Sequence, residues 1–520
     1  MKYFEQQNLL KNLASILVIL GLMSVFLIAY HFFIRFLFGG EGLGAFHPIV
    51  SDESSYFRFI SSLVQYGPVN GGGYNGYYFN GELFTAKILN YGAHGFFLLW
   101  PYYLLFLIFG IKFLTVIVSN WLLLAFAFLA VYFLTKNLRK TLIVVLASLL
   151  FLPVLLYFGS FLMEISQYVF AIITAALLWH YKNNRSRIVE IALVSIIFLF
   201  CVSRIINFLF FIPYIVLKSK NNKQPILFSL ALFAVILVCC YGIFSINSLF
   251  AAPYPTGFLY ELKKTFADRG ILEGVYFLKD HIVLNTNRLF DTSEGIPAWI
   301  IMRYSLIIMF ILFFVRGFFY YDYQNHKLSL RNEKDLLSLS FSMVVILILG
   351  LDVALYDIFG YRDFRVFAPF ALFFMTYFLI NSRMKSIIPL LFIGFHLALL
   401  SQYTCLKTPV TIVRWTETEY PHFVNELRYD ESAKSRWDNT VLTNLGAEAN
   451  THIMLEKDSR LGWIILRSPI INSESLQCGY ILLAADSPSE YLGYEIIAHE
   501  KNQYLYKRIF SEHNMVELGH

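Results

Sequence analysis

An aspartate and a glutamate stand side by side at Asp52 and Glu53, in "SDESSYFRFISSLVQYG", directly after the first long apolar run of the chain. A placed carboxylate can take a proton from a hydroxyl group in a transition state, an effect typically worth about 10²–10⁴-fold in rate. The same pair would equally suit the first turn of a helix, where Asp caps bare amides and negative charge meets the positive end of the helix dipole. Two more ionisable groups border apolar runs, Glu164 in "YFGSFLMEISQYVF" and Arg204 in "CVSRIINF". At a membrane face such a group is read first as functional. Arg362 and Arg365 follow in "YRDFRVF", and His94 and Lys87 lie between the carboxylate pair and the next apolar run. No Cys-x-x-Cys and no His-rich metal spacing occurs.

The elements that must position these groups are apolar. Of 520 residues, 58% are hydrophobic and 15% charged, and mean hydropathy is +0.59; soluble domains carry about 25% charged residues. Repeated stretches of about 20 apolar residues read as membrane spans, because lipid offers no water to bare backbone groups. The expected class is an α-helical polytopic membrane protein. A first span at 13–37, too long for a signal-peptide core, reads as a retained anchor. Further spans are expected at 112–134, 141–157, 161–180, 188–203, 206–217, 225–247, 298–315, 336–351, 366–380 and 387–400, about eleven in all. Basic clusters at Lys136–Lys140, Lys182–Arg187, Lys218–Lys223, Lys327–Lys334 and Asn381–Lys385 fix the orientation if all are cytoplasmic. The N-terminus then starts inside and the C-terminal region ends outside. This count requires Gly95–Gly110 to lie in the outer leaflet as an interfacial helix, with Trp100, Tyr102 and Tyr103 at the headgroups.

Two domains follow: a multi-span part, 1–401, and an extracytoplasmic α/β domain, 402–520. The second holds 11 basic against 16 acidic residues, net −5; the chain's +6 therefore puts +11 on the first. Its β-like runs include "TVLTNL", "GYILLAA", "YEIIAHE" and "QYLYKRI". Two large outer loops, 39–94 and 249–297, belong to the multi-span part. After Asp52, apolar residues Tyr56, Phe59, Ile60, Leu63 and Val64 mark one face of a short amphipathic helix parallel to the membrane. In the second loop Leu259, Leu262 and Phe266, then Ile271, Val275 and Leu278, have helical spacing; lids and plain surface anchors both fit. Cys405 and Cys478 fall outside the spans, and their pairing stays open. The scattered basic residues suggest no nucleic-acid partner, and nothing fixes the oligomeric state.

The ordered set resembles the polyprenol-phosphate-sugar-dependent glycosyltransferases of the GT-C class, such as protein O-mannosyltransferases and lipid A aminoarabinose transferases. The likeness rests on "SDESSY", "YGAHGFFLLWPYYLLFLIFG", "YFGSFLMEISQYVF" and "YRDFRVFAPFALFF", and covers about residues 1–400. His94 is followed by Gly where that family usually has Pro. The resemblance implies an enzyme of the bacterial inner membrane that moves a sugar, with inversion, from a polyprenyl-phosphate donor to a hydroxyl of a cell-envelope glycan, lipid or protein. Asp52 would be the base and Glu53 would position hydroxyls. Arg204, Arg362 and Arg365 would hold the donor phosphate through planar guanidinium forks, and His94, Glu164 and Lys87 would bind substrate. Asp52 and Glu53 could also ligate a divalent cation. Competing readings are a polysaccharide polymerase or ligase, centred on Arg and His of the 249–297 loop, and a lipid or glycan transporter, which would place ionisable groups near mid-membrane.

Overall fold

A computed structural model of the chain describes residues 2–37, 43, 52–70, 75–79, 82–85, 95–160, 164–219, 225–247, 249, 257–290, 307–308, 311–322, 327–330, 335–355, 364–381, 426–428, 440–443, 462–466, 478–484, 494–500 and 503–509. The chain is mostly helical, with a small sheet built largely from its C-terminal part.

The helices follow the apolar runs in order: α1 Lys2–Leu37, α2 Asp52–Asn70, α3 Gly95–Phe109, α4 Phe113–Thr135, α5 Leu138–Leu149, α6 Leu152–Tyr157, α7 Glu164–Asn184 and α8 Arg187–Ser203. A 3-10 turn, Ile205–Phe210, leads into α9 Phe211–Ser219 and α10 Pro225–Asn247. Then come α11 Phe258–Arg269, α12 Ile271–Phe290, α13 Leu336–Leu355 and α14 Phe364–Asn381. Among the described residues, Leu9–Phe33 and Phe113–Thr135 are long and apolar enough to cross a bilayer; five further apolar helices are shorter. Two expected spans are divided. The stretch 141–157 splits into α5 and α6 around Leu150–Phe151, with Pro153 in the first turn of α6. The stretch 206–217 starts as the 3-10 turn. The stretch 387–400 and most of 298–315 lie outside the described residues.

Helix α7 is the hub. It is buried along most of its length against α4, α8 and α14, so it needs apolar residues all round rather than a stripe. Side-chain contacts fix the directions of its neighbours. Tyr132 donates to Asn12 (2.9 Å) and Trp121 to the Met23 carbonyl (3.0 Å), which sets α1 antiparallel to α4. Farther along, Tyr30 of α1 meets the Phe158 ring edge-on at 4.8 Å. A Cβ on Gly159 would come within 2.8 Å of the Tyr30 hydroxyl, so this turn needs glycine for close approach.

The bundle therefore has two poles. At one, Lys140 donates to the Ile380 carbonyl, Arg185 to the Leu217 carbonyl (2.9 Å) and His180 to the Leu134 carbonyl (2.9 Å). The cations Lys140 and Arg185 here answer the negative ends of α14 and α9. The opposite pole holds the end of α1, the start of α4, the turn 158–160, the start of α7 and the end of α8.

The sheet crosses the domain boundary expected at residue 402. Strands β1 Asn75–Phe79 and β2 Glu82–Thr85 come from the first loop; β5 Thr440–Thr443, β6 Gly462–Leu466, β7 Tyr480–Ala484, β8 Tyr494–Glu500 and β9 Gln503–Arg508 come from the C-terminal region. Their order is β2-β1-β6-β5-β7-β9-β8, with β3 Phe319–Asp322 and β4 Lys327–Leu330 forming a separate hairpin. Strand β1 runs parallel to β6 with Gly76 opposite Ile464. No periodicity within 402–520 could reveal strands contributed from the first loop. Cys478, expected as one half of an open pairing, is a free buried thiol whose pKa burial pushes up to about 12; Cys405 lies outside the described residues.

Candidate functional site

Glu164 is the first residue of α7 and Arg204 the residue that ends α8. Both positions suit their charge, a carboxylate at a helix start and a cation at a helix end. The two form an ion pair, with Arg204 Nη2 donating to Glu164 Oε1. Glu164 is 1% exposed, and its second carboxylate oxygen is buried without a hydrogen-bond partner among the described residues. At Arg204 the backbone turns extended (φ −149°, ψ 120°), which stops α8 and starts the 3-10 turn.

Beneath the pair lies a buried polar network. Gln167 Nε2 donates to Ser203 Oγ (2.7 Å), Asn207 Nδ2 to Gln167 Oε1 (3.0 Å), and Asn207 Nδ2 also to the Phe200 carbonyl (2.9 Å). These bonds satisfy amides that would otherwise cost free energy in an apolar interior. They also hold the α7 start and the α8 end in one arrangement. To one side, Tyr102 of α3 donates to Asn120 Oδ1 (2.6 Å), and Asn120 Nδ2 donates to the Phe158 carbonyl (2.8 Å). The Tyr102 hydroxyl lies within electrostatic reach of Glu164 and by the Ser166 backbone. Tyr102 was expected at the headgroups; instead it is buried, and α3 turns Leu104, Leu107 and Ile108 outward.

Helix α2 brings the carboxylate pair to this pole. Asp52 and Glu53 are its first two residues, described for the backbone alone. Phe57, about 7.5 Å further along the axis, meets Phe106 of α3 (5.9 Å) and Phe113 at the start of α4 (5.5 Å). The expected surface helix with one apolar face is corrected here, because residues 57–63 are all buried. Arg58, 2% exposed, is among them; its signal in the sequence is a lone basic residue within "YFRFISS". Polar residues inside apolar runs, Asn120, Gln167 and Asn207, gave a signal of the same kind.

Arg365 is the second residue of α14, and only its backbone is described. The Phe370 ring, five residues on, stacks on Phe210 at 4.3 Å and 2°. Since Phe210 closes the turn that Arg204 opens, the start of α14 lies at the pole of Arg204. His94, Lys87 and Arg362 lie outside the described residues. Among the described residues no group of three or more His, Cys, Asp or Glu is placed to hold a metal ion.

In chemical terms this pole offers a helix start bearing two acids and a guanidinium held by a buried carboxylate. Comparison with protein-family models and with curated proteins finds no match for the chain.

Proposed function

We propose that the chain is a multi-span membrane enzyme, and more narrowly a glycosyltransferase that uses a polyprenyl-phosphate-linked sugar. The single observation that carries this reading is the gathering of Asp52, Glu164, Arg204 and the start of α14 at one pole of the helical bundle, opposite the basic pole. With the basic pole in the cytoplasm, this pole lies at the external face of a bacterial inner membrane. The sheet, built partly from the first loop, lies on that side too.

The reaction needs little else. Asp52 takes the proton from an acceptor hydroxyl as its oxygen bonds to the anomeric carbon from the face opposite the phosphate. The bond from that carbon to the phosphate oxygen breaks, and its electron pair leaves with the phosphate. Arg204 and Arg365 meet the growing negative charge. Glu164, its side chain fully enclosed, holds Arg204 in place. A polymerase or ligase built on the second loop finds less support: the described His281 is buried, stacked on Phe258 at 3.4 Å, and accepts from Asn285 (2.8 Å).

The test is mass spectrometry of surface glycoconjugates from a deletion strain beside its parent. One hexose, pentose or amino-sugar is expected to vanish from one glycan, lipid or protein. An unchanged profile overturns the proposal.

A further inference from the structure

Helix α12 turns an apolar stripe outward, with the exposed acids Glu273 and Asp280 along one edge of it. Its inward side carries Gly274, His281 and Asn285, all buried. Asn285 Nδ2 donates to His281 Nε2 (2.8 Å) and to the Val353 carbonyl of α13 (3.0 Å). Gly270, at φ 88°, turns the chain between α11 and α12. A Cβ on Gly274 would fall 2.3 Å from the Phe266 ring, so the two helices touch there. The outward stripe is Leu272, Val275, Tyr276, Lys279 and Val283, at helical spacing and all exposed, Leu272 by 65% and Val283 by 50%.

We infer that the α11–α12 hairpin rests in the outer leaflet of a lipid bilayer, with this stripe among acyl chains and Lys279 on a lipid phosphate. The inference rests on the membrane reading above and adds the surface that meets lipid outside the bundle. Three observations choose a bilayer as the occupant. Helix α10, which leads into the hairpin, turns Leu230, Val235, Val238 and Ile246 outward in the same way. Lys279 stands in the middle of the stripe, where a lipid phosphate accepts it while its stem lies along the chains. In a two-fold contact between copies, the same lysine would be buried near its own like charge, at a desolvation cost. Tyr276 beside it has the amphipathic ring favoured at the headgroup level.

The full chain, with its five native cysteines replaced, is labelled with an environment-sensitive fluorophore at Val275→Cys or Val283→Cys. It is then reconstituted in vesicles of phosphatidylcholine and phosphatidylglycerol. Nitroxide-bearing lipids are expected to quench both sites several-fold more than a label at Glu495→Cys, an exposed position on β8. A label at Leu17→Cys, exposed on α1, is the control. Quenching at Leu17 but not at 275 or 283 overturns the hairpin inference and leaves the membrane reading standing. Quenching at none of the three overturns the membrane reading itself. Cross-linking of two copies through Val275→Cys in place of lipid quenching identifies a second copy as occupant and also overturns the inference.

Discussion

Arg204 and Glu164 sit 40 residues apart and meet only because α7 starts where α8 ends. Their pairing changes what each can do. A guanidinium held by a buried carboxylate keeps its plane fixed, as a phosphate clamp requires, whereas a snorkelling arginine would not. Breaking a buried pair by removing one partner costs about 3–5 kcal/mol, because the remaining charge stays buried. Glu164→Gln and Arg204→Gln are therefore each expected to lower the unfolding midpoint in detergent, and the double variant to lose much less than the sum. Additive losses in that double-mutant cycle contradict the coupling. Both single variants are also expected to lose sugar transfer, the glutamate variant through a misplaced arginine. The residue types were legible from the sequence, since acids and arginines next to apolar runs stand out. Their pairing was not, because it depends on where two helices stop.

Among the elements, most helices were legible from apolar runs, and α10 spans the same residues as the stretch expected from sequence. The failures have physical causes. Pro153 splits one expected span, an extended Arg204 starts another as a 3-10 turn, and α2 is enclosed rather than laid on a surface. The larger surprise is β1. Four residues after α2, the chain enters the C-terminal sheet beside β6. Its sequence, "NGYYF", has aromatic residues suited to a strand but nothing that names its partner. Phe84 of β2 also meets Tyr260 of α11 edge-on at 5.4 Å. The first-loop hairpin thus touches the C-terminal sheet on one side and the second loop on the other. Cysteines at Gly76 and Ile464, opposed in the parallel register, are expected to form a disulfide under mild oxidation. Cysteines at Gly76 and Glu495, on a far strand of the sheet, are expected not to. Equal yields for the two pairs, or none for the first, contradict the strand order.

At the scale of the whole molecule, the helical bundle has polarity between two ends. One end gathers lysines and arginines that cap helix carbonyls. The other gathers the start of α2, the Glu164–Arg204 pair and the start of α14. Lys140 and Arg185 belong to two of the basic clusters that recur between alternate apolar runs of the sequence. The sharing of one sheet by the first loop and the C-terminal region was not legible there, and it supports placing both on one side. The proposed chemistry asks most of Asp52, whose carboxylate alone removes the proton. The most direct measurement is sugar transfer by Asp52→Asn, expressed in the deletion strain at the parent's level and inserted in the membrane as the parent is. The account predicts a loss of about 10²–10⁴-fold, with the missing sugar still absent from the glycoconjugate. Restoration of that sugar at near-parental levels contradicts the assignment of the base and, with it, the mechanism.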